Sequence, residues 1–189
     1  TPQGVQESVE FFARNPVLVL VDTDIVVNAN ERYLVAGMGD ALATWYEARV
    51  CYNNSAAVTP AGGRPTLASY AISEICAQAI YDHGEEAAAA VLASQNSEAV
   101  EKIVEANTLL SGIGFESGGL AMAHPLALAY TRIDRVHDTY LHGEIVAIST
   151  VAQLFLEQSS DLEKATRFFA RVGLPVHLGQ LSMSPDDST

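Results

Sequence analysis

Three residues in apolar stretches of the chain carry side chains that commonly bind metal ions. Asp40 lies between Met38 and Leu42, His124 lies in the segment LAMAHPL, and His142 precedes Gly143. An ionised carboxylate in apolar surroundings is costly unless it is paired or bound to a metal. One carboxylate and two imidazoles from separate segments match the three protein ligands of a catalytic zinc site, whose fourth position stays open.

Each of these residues also has a purely structural explanation. Asp40 could be ion-paired or exposed, and His124 could be a core histidine bonded to a backbone carbonyl. His142 could cap a helix, with Glu144 favouring the positive end of the helix dipole. No two of the three share a short spacing such as HxxH that would force them together. The residues alone therefore leave both interpretations open.

The segment Gly37-Met38-Gly39-Asp40 superficially resembles a dinucleotide-binding loop. A GxGxxG fingerprint needs a glycine at the position of Leu42 and a strand immediately before the loop. Residues 31–36 instead lead directly into a helix. We therefore reject a dinucleotide loop at this position.

Hydrophobic periodicity predicts a bundle of helices that would position these residues. Glycines and capping residues mark most of the ends. The predicted helices run from Tyr33 to Asn53, from Pro65 to Gly84, over an alanine-rich piece from Glu85 to Ser94, from a Ser97 cap through Leu110, from Gly143 to Gln158, and from a Ser160–Glu163 capping box to Arg171. Gly173 and Pro175 are predicted to end the last helix.

Three other segments carry different predictions. The β-rich run Val17 to Val21 predicts a strand, with Phe11-Phe12 as its partner, in a ribbon that belongs to a structure outside this chain. The glycine-rich stretch 114–119 predicts a tight turn leading to His124. Residues 134–140 predict a polar loop. The expected division is a β-ribbon remnant over residues 1–25 and a helical metal-binding domain over residues 26–189.

The composition of the chain limits the classes of protein to which it can belong. The 189 residues are 49% hydrophobic and carry a net charge of −13, from 23 acidic and 10 basic residues. This charge argues against a nucleic-acid or anionic-membrane partner. The chain has no apolar run long enough to span a bilayer and no secretory signal pattern, so we expect a cytoplasmic protein. Cys51 and Cys76 lie in separate apolar helical stretches and predict buried, reduced thiols.

Four long segments resemble one enzyme family. They read VLVDTDIVVNANERYLVAGMGDALATWYEAR, EANTLLSGIGFESGGLAMAH, YLHGEIVA and RVGLPVHLGQL. The chain resembles the glycerol dehydrogenases, in the superfamily of iron-containing alcohol dehydrogenases and dehydroquinate synthases, over nearly its whole length. The segments GMGDALATW and GFESGGLA are specific to that branch.

The resemblance implies a fold, a reaction and a site. It implies the helical, C-terminal metal-binding domain of an enzyme that oxidises glycerol, or related small diols, to dihydroxyacetone with NAD+. It implies that Asp40, His124 and His142 bind a catalytic Zn²⁺, or Fe²⁺ or another divalent ion. It also implies that Phe115 lines the glycerol pocket and that the enzyme is a homo-oligomer, an octamer in the family.

The sequence departs from the family in three places. It lacks the nucleotide-binding domain that precedes this region in relatives, so we expect NAD to bind poorly to this chain alone. It also lacks further helices after RVGLPVHLGQL. Pro125 follows His124 where relatives read roughly HAIHNGLT, and it biases His124 away from helical dihedral angles. His137 is an alternative donor.

Two other functions stay open at this stage. The chain could be a catalytically inactive, truncated helical module with an oligomerisation or interaction role. It could also be a metallohydrolase, for which Glu116 and Glu144 are the candidate general bases.

Overall fold

The computed structural model describes residues 14–184, which form helices joined by loops. In chain order these are α1 (Thr23–Val27), α2 (Glu31–Asn53), α3 (Leu67–Leu92), α4 (Glu98–Glu105), a π-helical segment (Ala106–Leu110), α5 (Ser111–Ile113), a second π-helical segment (Gly114–Gly118), α6 (Ala123–Tyr130), α7 (Asp134–Thr139), α8 (His142–Leu156), α9 (Leu162–Arg171) and a 3₁₀ turn (Leu178–Leu181). The prediction of a mainly helical fold is confirmed.

Side chains cap the N-termini of the long helices. The Asn30 side chain accepts a hydrogen bond from the Arg32 amide at the start of α2, and Thr66 forms a capping box with Ser69 at the start of α3. The Ser97 hydroxyl accepts from the Val100 amide, as its position before α4 predicts. These contacts satisfy amides that have no partner within the helix.

The long helix α2 runs through the centre of the molecule. Its side chains Met38, Leu42 and Tyr46 are buried in the main core, together with Ile80 of α3 and Phe168 of α9. A second apolar cluster joins α6, α7 and α8 through residues such as Val146. Because α2 packs against α3 on one side and α8 on the other, it connects the two clusters.

The predicted β ribbon is wrong for the residues that the structure describes. Val17 to Val21 form no strand, and Val17, Leu18, Val19 and Leu20 are each more than two-thirds exposed. A strand requires hydrogen-bonding partners from a neighbouring strand, and residues 14–184 contain no strand at all. Its proposed partner, Phe11-Phe12, lies outside the described residues.

The glycine-rich stretch continues a helix instead of forming the predicted turn. The backbone stays helical from α4 through both π-helical segments, and the helix ends at Gly119, whose φ is +100°. Gly114 and Gly118 allow close packing: a Cβ on Gly114 would lie 2.4 Å from Thr44 Cγ2, and one on Gly118 would lie 2.9 Å from Ala48 Cβ. These glycines therefore let this segment approach α2.

Three smaller predictions also differ from the structure. Gly84 does not end a helix, because α3 continues through the alanine-rich residues to Leu92. Residues Asp134–Thr139 form α7 where a loop was predicted. The Ser160–Glu163 capping box is absent: Asp161 precedes α9, and its carboxylate pairs with Arg49. Among residues 14–184, no helix combines the length and the hydropathy needed to cross a membrane.

Candidate metal centre

Asp40 lies on α2 where the helix borders a cavity. Its helical neighbours Met38, Ala41 and Leu42 are buried in the core, whereas the Asp40 side chain is 40% exposed. The carboxylate therefore projects from the edge of an otherwise buried helix face. Two histidines that line the same cavity lie beside it.

His124 lies in the first turn of α6 and is the nearer of the two histidines. Its Nε2 atom is 3.0 Å from Asp40 Oδ1. Although Pro125 was expected to bias His124 away from helical dihedral angles, α6 begins at Ala123 and includes both residues. Proline is tolerated there because amides in the first helical turn have no partner within the helix.

A buried glutamate, which the sequence analysis missed, fixes the orientation of His124. Glu47 lies on α2 and has no exposed surface. Its Oε2 atom forms a short hydrogen bond with Nδ1 of His124, and its Oε1 atom accepts from the amides of Ala121 (2.9 Å) and His124 (3.2 Å). With Nδ1 engaged by Glu47, Nε2 is the ring nitrogen that faces the cavity. The signal in the sequence is the seven-residue spacing from Asp40, which is two helical turns.

A second side chain helps to hold the loop before α6. Gln153 of α8 is buried, and its Oε1 atom accepts from the amides of Met122 (3.0 Å) and Ala123 (2.9 Å). Two polar side chains from α2 and α8 thus bind consecutive amides of this loop. The position of His124 follows from these contacts.

His142 is the first residue of α8, and its ring lies near both Asp40 and the ring of His124. Its Nε2 atom is 4.0 Å from Asp40 Oδ2, and its side chain is half exposed. The start of α8 is held against α2 by Glu144, which accepts from the Leu141 amide and pairs with Arg32 at 2.6 Å. Gly143 brings the two helices close together, because a Cβ there would lie only 1.8 Å from the carbonyl oxygen of Ala36.

The three predicted residues form one group of donors. One donor atom each from Asp40, His124 and His142 lies within 4.8 Å of the other two. Both imidazoles and the carboxylate are ligand types that Zn²⁺ and similar divalent ions accept. The Glu47 contact on His124 is the outer hydrogen bond that metal-binding histidines usually make. The residues present therefore fit a metal site with three protein ligands.

The same cluster opens onto a cavity of about 440 Å³. The cavity is lined by Asp40, Thr44, Ser111, Gly112, Phe115, Leu120, His124, Pro125, Leu128 and His142. Phe115, which was predicted to line the substrate pocket, does line this cavity, and its ring centroid is 5.7 Å from that of His124. Such a cavity has room for a small molecule beside the metal-ligand candidates.

The protonation of His124 reflects its two carboxylate neighbours. Burial lowers the pKa of His124, but its hydrogen bonds to Asp40 and Glu47 outweigh burial and raise the pKa to about 10. Without a metal, the imidazole is therefore a cation between two carboxylates.

The remaining candidates lie outside this cluster. His137 pairs with Asp138 on α7, and Glu144 is engaged by Arg32. Glu116 does not line the cavity. These positions offer no general base for a metallohydrolase. Cys51 and Cys76 are buried free thiols, as predicted, and the Cys51 thiol donates to the carbonyl oxygen of Leu120.

Comparison with known proteins shows which proteins are similar to this chain in sequence and fold. No protein-family model matches the chain. The glycerol dehydrogenase of Citrobacter freundii is 44% identical over 98% of this chain and 51% of its own length. A glycolaldehyde reductase of Halobacterium salinarum is 42% identical over 96% of this chain and 50% of its own length. The crystal structure of a probable glycerol dehydrogenase from Sinorhizobium meliloti superposes with a TM-score of 0.91, at 41% identity, over 98% of this chain and 52% of that one.

The shared helical fold and these identities show which class of protein the chain resembles, because its relatives are named as oxidoreductases. Within that class, the chain is a homologue of the glycerol dehydrogenases and matches their helical C-terminal domain. It spans about half the length of the relatives that it matches.

Proposed function

We propose that this chain is the metal-binding half of an NAD-dependent glycerol dehydrogenase, in which Asp40, His124 and His142 hold a zinc ion. The observation that carries the proposal is the convergence of the three donor atoms, within 4.8 Å of one another, at the wall of a cavity. Residues 26–189 are then the metal-binding domain, and residues 1–25 belong with the nucleotide-binding half. A homo-oligomeric enzyme is part of the same proposal.

The names of the relatives support a substrate class. Glycerol and glycolaldehyde, named for two relatives, both carry a hydroxyl on the carbon next to the reacting carbon. The proposed substrates are therefore glycerol and other small vicinal diols, with the secondary hydroxyl of glycerol oxidised to give dihydroxyacetone.

Different residues of the chain would have different roles at such a site. Zinc at such a site would supply polarisation and acidification of the alcohol hydroxyl, and NAD+ would supply the hydride acceptor. Asp40 contributes the negative charge that partly neutralises the ion, and Glu47 keeps Nε2 of His124 directed at it. Phe115, Leu120 and Leu128 form apolar walls that exclude water from the reacting groups.

Metal analysis of the purified chain tests this proposal. We expect close to one zinc ion per chain after dialysis, measured by plasma mass spectrometry, and loss of that zinc in Asp40→Asn and His142→Ala. His83→Ala is the matched control, because His83 lies on α3 outside the cluster. A folded wild-type chain that retains no divalent ion would refute the proposed site.

A second measurement separates the enzyme from the inactive module. NAD-linked oxidation of glycerol by the full-length protein, in which this chain is joined to a nucleotide-binding half, should require the metal and fall to background in Asp40→Asn. Full zinc occupancy in that protein without any glycerol oxidation would favour a helical module that keeps the site but does not catalyse.

A further inference from the structure

The hydroxyl group of Thr44 differs from those of the other buried serines and threonines in the helices that the structure describes. Ser73, Ser111 and Thr150 each donate a hydrogen bond of 2.9 Å to the carbonyl oxygen four residues earlier. Thr108, Ser149 and Thr166 do the same. Thr44 lies within α2 and is only 3% exposed, yet its hydroxyl has no hydrogen-bond partner anywhere between residues 14 and 184.

The packing of Thr44 shows where its two branches lie. The methyl group faces the second π-helical segment, because a Cβ on Gly114 would lie 2.4 Å from Thr44 Cγ2. In the described part of the chain, Asn107 Oδ1 is the side-chain oxygen that is both fully buried and without a hydrogen-bond partner. The Thr44 hydroxyl also lacks a partner but is not in that category, so its oxygen keeps some exposed surface. The open space that Thr44 lines is the cavity beside the metal-ligand candidates. Its hydroxyl is therefore available to a molecule in that cavity.

The cavity offers few other groups to a second hydroxyl of a substrate. Phe115, Leu120 and Leu128 present apolar surface. Ser111 also lines the cavity, but its hydroxyl proton is already donated to the carbonyl oxygen of Asn107. Thr44 is one helical turn beyond Asp40, about 6 Å along the axis of α2, on the same side of the helix. A small diol would thus meet the metal-ligand cluster at one end and Thr44 at the other.

We propose that Thr44 hydrogen-bonds the second hydroxyl of the substrate and makes this cavity select vicinal diols over simple secondary alcohols. This inference rests on the proposed function, because it takes the metal centre as the site of the reacting hydroxyl. A single polar group in an apolar wall gives strong selection, since an alcohol without the matching hydroxyl leaves that group unpaired.

Ligand binding to the Co²⁺-loaded chain tests the role of Thr44 without relying on catalysis. Visible absorption of the Co²⁺ ion reports changes at the metal while 1,2-propanediol or 2-propanol is added. We expect the wild-type chain to bind the diol more tightly than 2-propanol. In Thr44→Val, diol affinity should fall by about 3- to 10-fold, the loss of one hydrogen bond, with 2-propanol affinity unchanged.

Two further variants separate recognition from packing. Thr44→Ser retains the hydroxyl and should keep the preference for the diol. Thr150→Val makes the same substitution at a buried helical threonine outside the cavity and should leave both affinities unchanged.

The outcomes distinguish this inference from the proposed function. An unchanged diol affinity in Thr44→Val, an equal loss for both alcohols, or a wild-type chain that shows no diol preference would each overturn the role of Thr44 while leaving the metal site intact. A wild-type chain that binds no Co²⁺ would overturn the proposed metal centre and, with it, this inference.

Discussion

At the scale of single residues, Glu47 is the most constrained group near the site. It is a fully buried carboxylate to which no lysine or arginine within residues 14–184 is bonded; its partners are the His124 ring and two backbone amides. A buried carboxylate is stable only when its oxygens accept several hydrogen bonds or face a positive charge. Protonated His124 supplies that charge in the metal-free chain, and a bound cation would supply it through the ring.

Replacing Glu47 with glutamine should therefore weaken both the fold and the metal site. Glutamine has almost the same shape, but its NH2 group replaces one of the two carboxylate oxygens that accept hydrogen bonds. One of the three N–H groups that are bonded to Glu47 therefore loses its acceptor. We expect a loss of about 1–3 kcal/mol in the free energy of unfolding, measured with urea. We also expect zinc affinity, measured by competition with a chromophoric chelator, to fall by about 10- to 100-fold.

The matched control for this prediction is Glu85→Gln. Glu85 pairs with Arg171 at the surface, away from the cavity, so its substitution removes one negative charge without touching the site. Equal zinc affinities in the two variants would show that Glu47 acts only through the net charge.

The residues of the cluster could be anticipated from sequence to different degrees. Asp40 and His124 stand out because each is a polar group in an apolar stretch, and His142 is singled out by its place at a helix start. Their convergence could not be derived from spacing, because the three residues come from three helices that only the tertiary fold brings together. Glu47 and Thr44 were missed because their roles depend on which face of α2 meets α6 and the cavity.

At the scale of elements, the close approach of α2 and α8 determines where His142 lies. Gly143 contacts the backbone of α2 at Ala36, and a Cβ on Gly39 would lie 2.7 Å from the carbonyl oxygen of Gly143. Both glycines are needed for space, since backbone atoms cannot yield as a flexible side chain can. His142, next to Gly143, moves with the start of α8.

Gly143→Ala should push the two helices apart. A Cβ 1.8 Å from the Ala36 oxygen must displace backbone, so we expect a loss of about 1–3 kcal/mol or more in the free energy of unfolding. The displacement should also move His142 from Asp40 and weaken zinc binding. Urea denaturation and chelator competition measure the two effects.

Gly112→Ala is the control for Gly143→Ala. Gly112 is also helical, but a Cβ there meets nothing within 4 Å, so alanine should stabilise the chain by up to about 1 kcal/mol through helix propensity. If Gly143→Ala is as stable as this control, the close packing of α2 and α8 is not what fixes the start of α8.

Sequence patterns predicted α2 and α4 well: α2 is a long helix that ends at Asn53 as expected, and α4 is a short amphipathic helix capped by Ser97. They failed where the local pattern and the tertiary environment disagree. Val17 to Val21 have strong β propensity, but propensity does not make a strand without a neighbouring strand. Gly114 to Gly118 read as a turn because glycine disfavours helices, yet here close packing against α2 and α3 overrides that preference.

At the scale of the whole molecule, metal binding should couple three helices to one another. Asp40, His124 and His142 come from α2, α6 and α8, so the unfolded chain does not bring them together. A ligand that binds only the folded state stabilises it by RT ln(1 + [L]/Kd), about 2.7 kcal/mol at a ligand concentration of 100 Kd. For a chain of this size, we expect zinc at that excess to raise the melting temperature by about 5–10 °C.

The net charge of −13 makes the choice of control important for this last prediction. Any divalent cation reduces repulsion among the excess carboxylates, so a rise with zinc alone would not identify the site. Magnesium screens charge equally but binds imidazole poorly, and it should therefore give a much smaller shift in melting temperature. Asp40→Asn should reduce the zinc shift to the magnesium level in differential scanning calorimetry at matched ionic strength. Equal shifts with zinc and magnesium in the wild-type chain would mean that the cations act on the surface charge and not at the three-residue cluster.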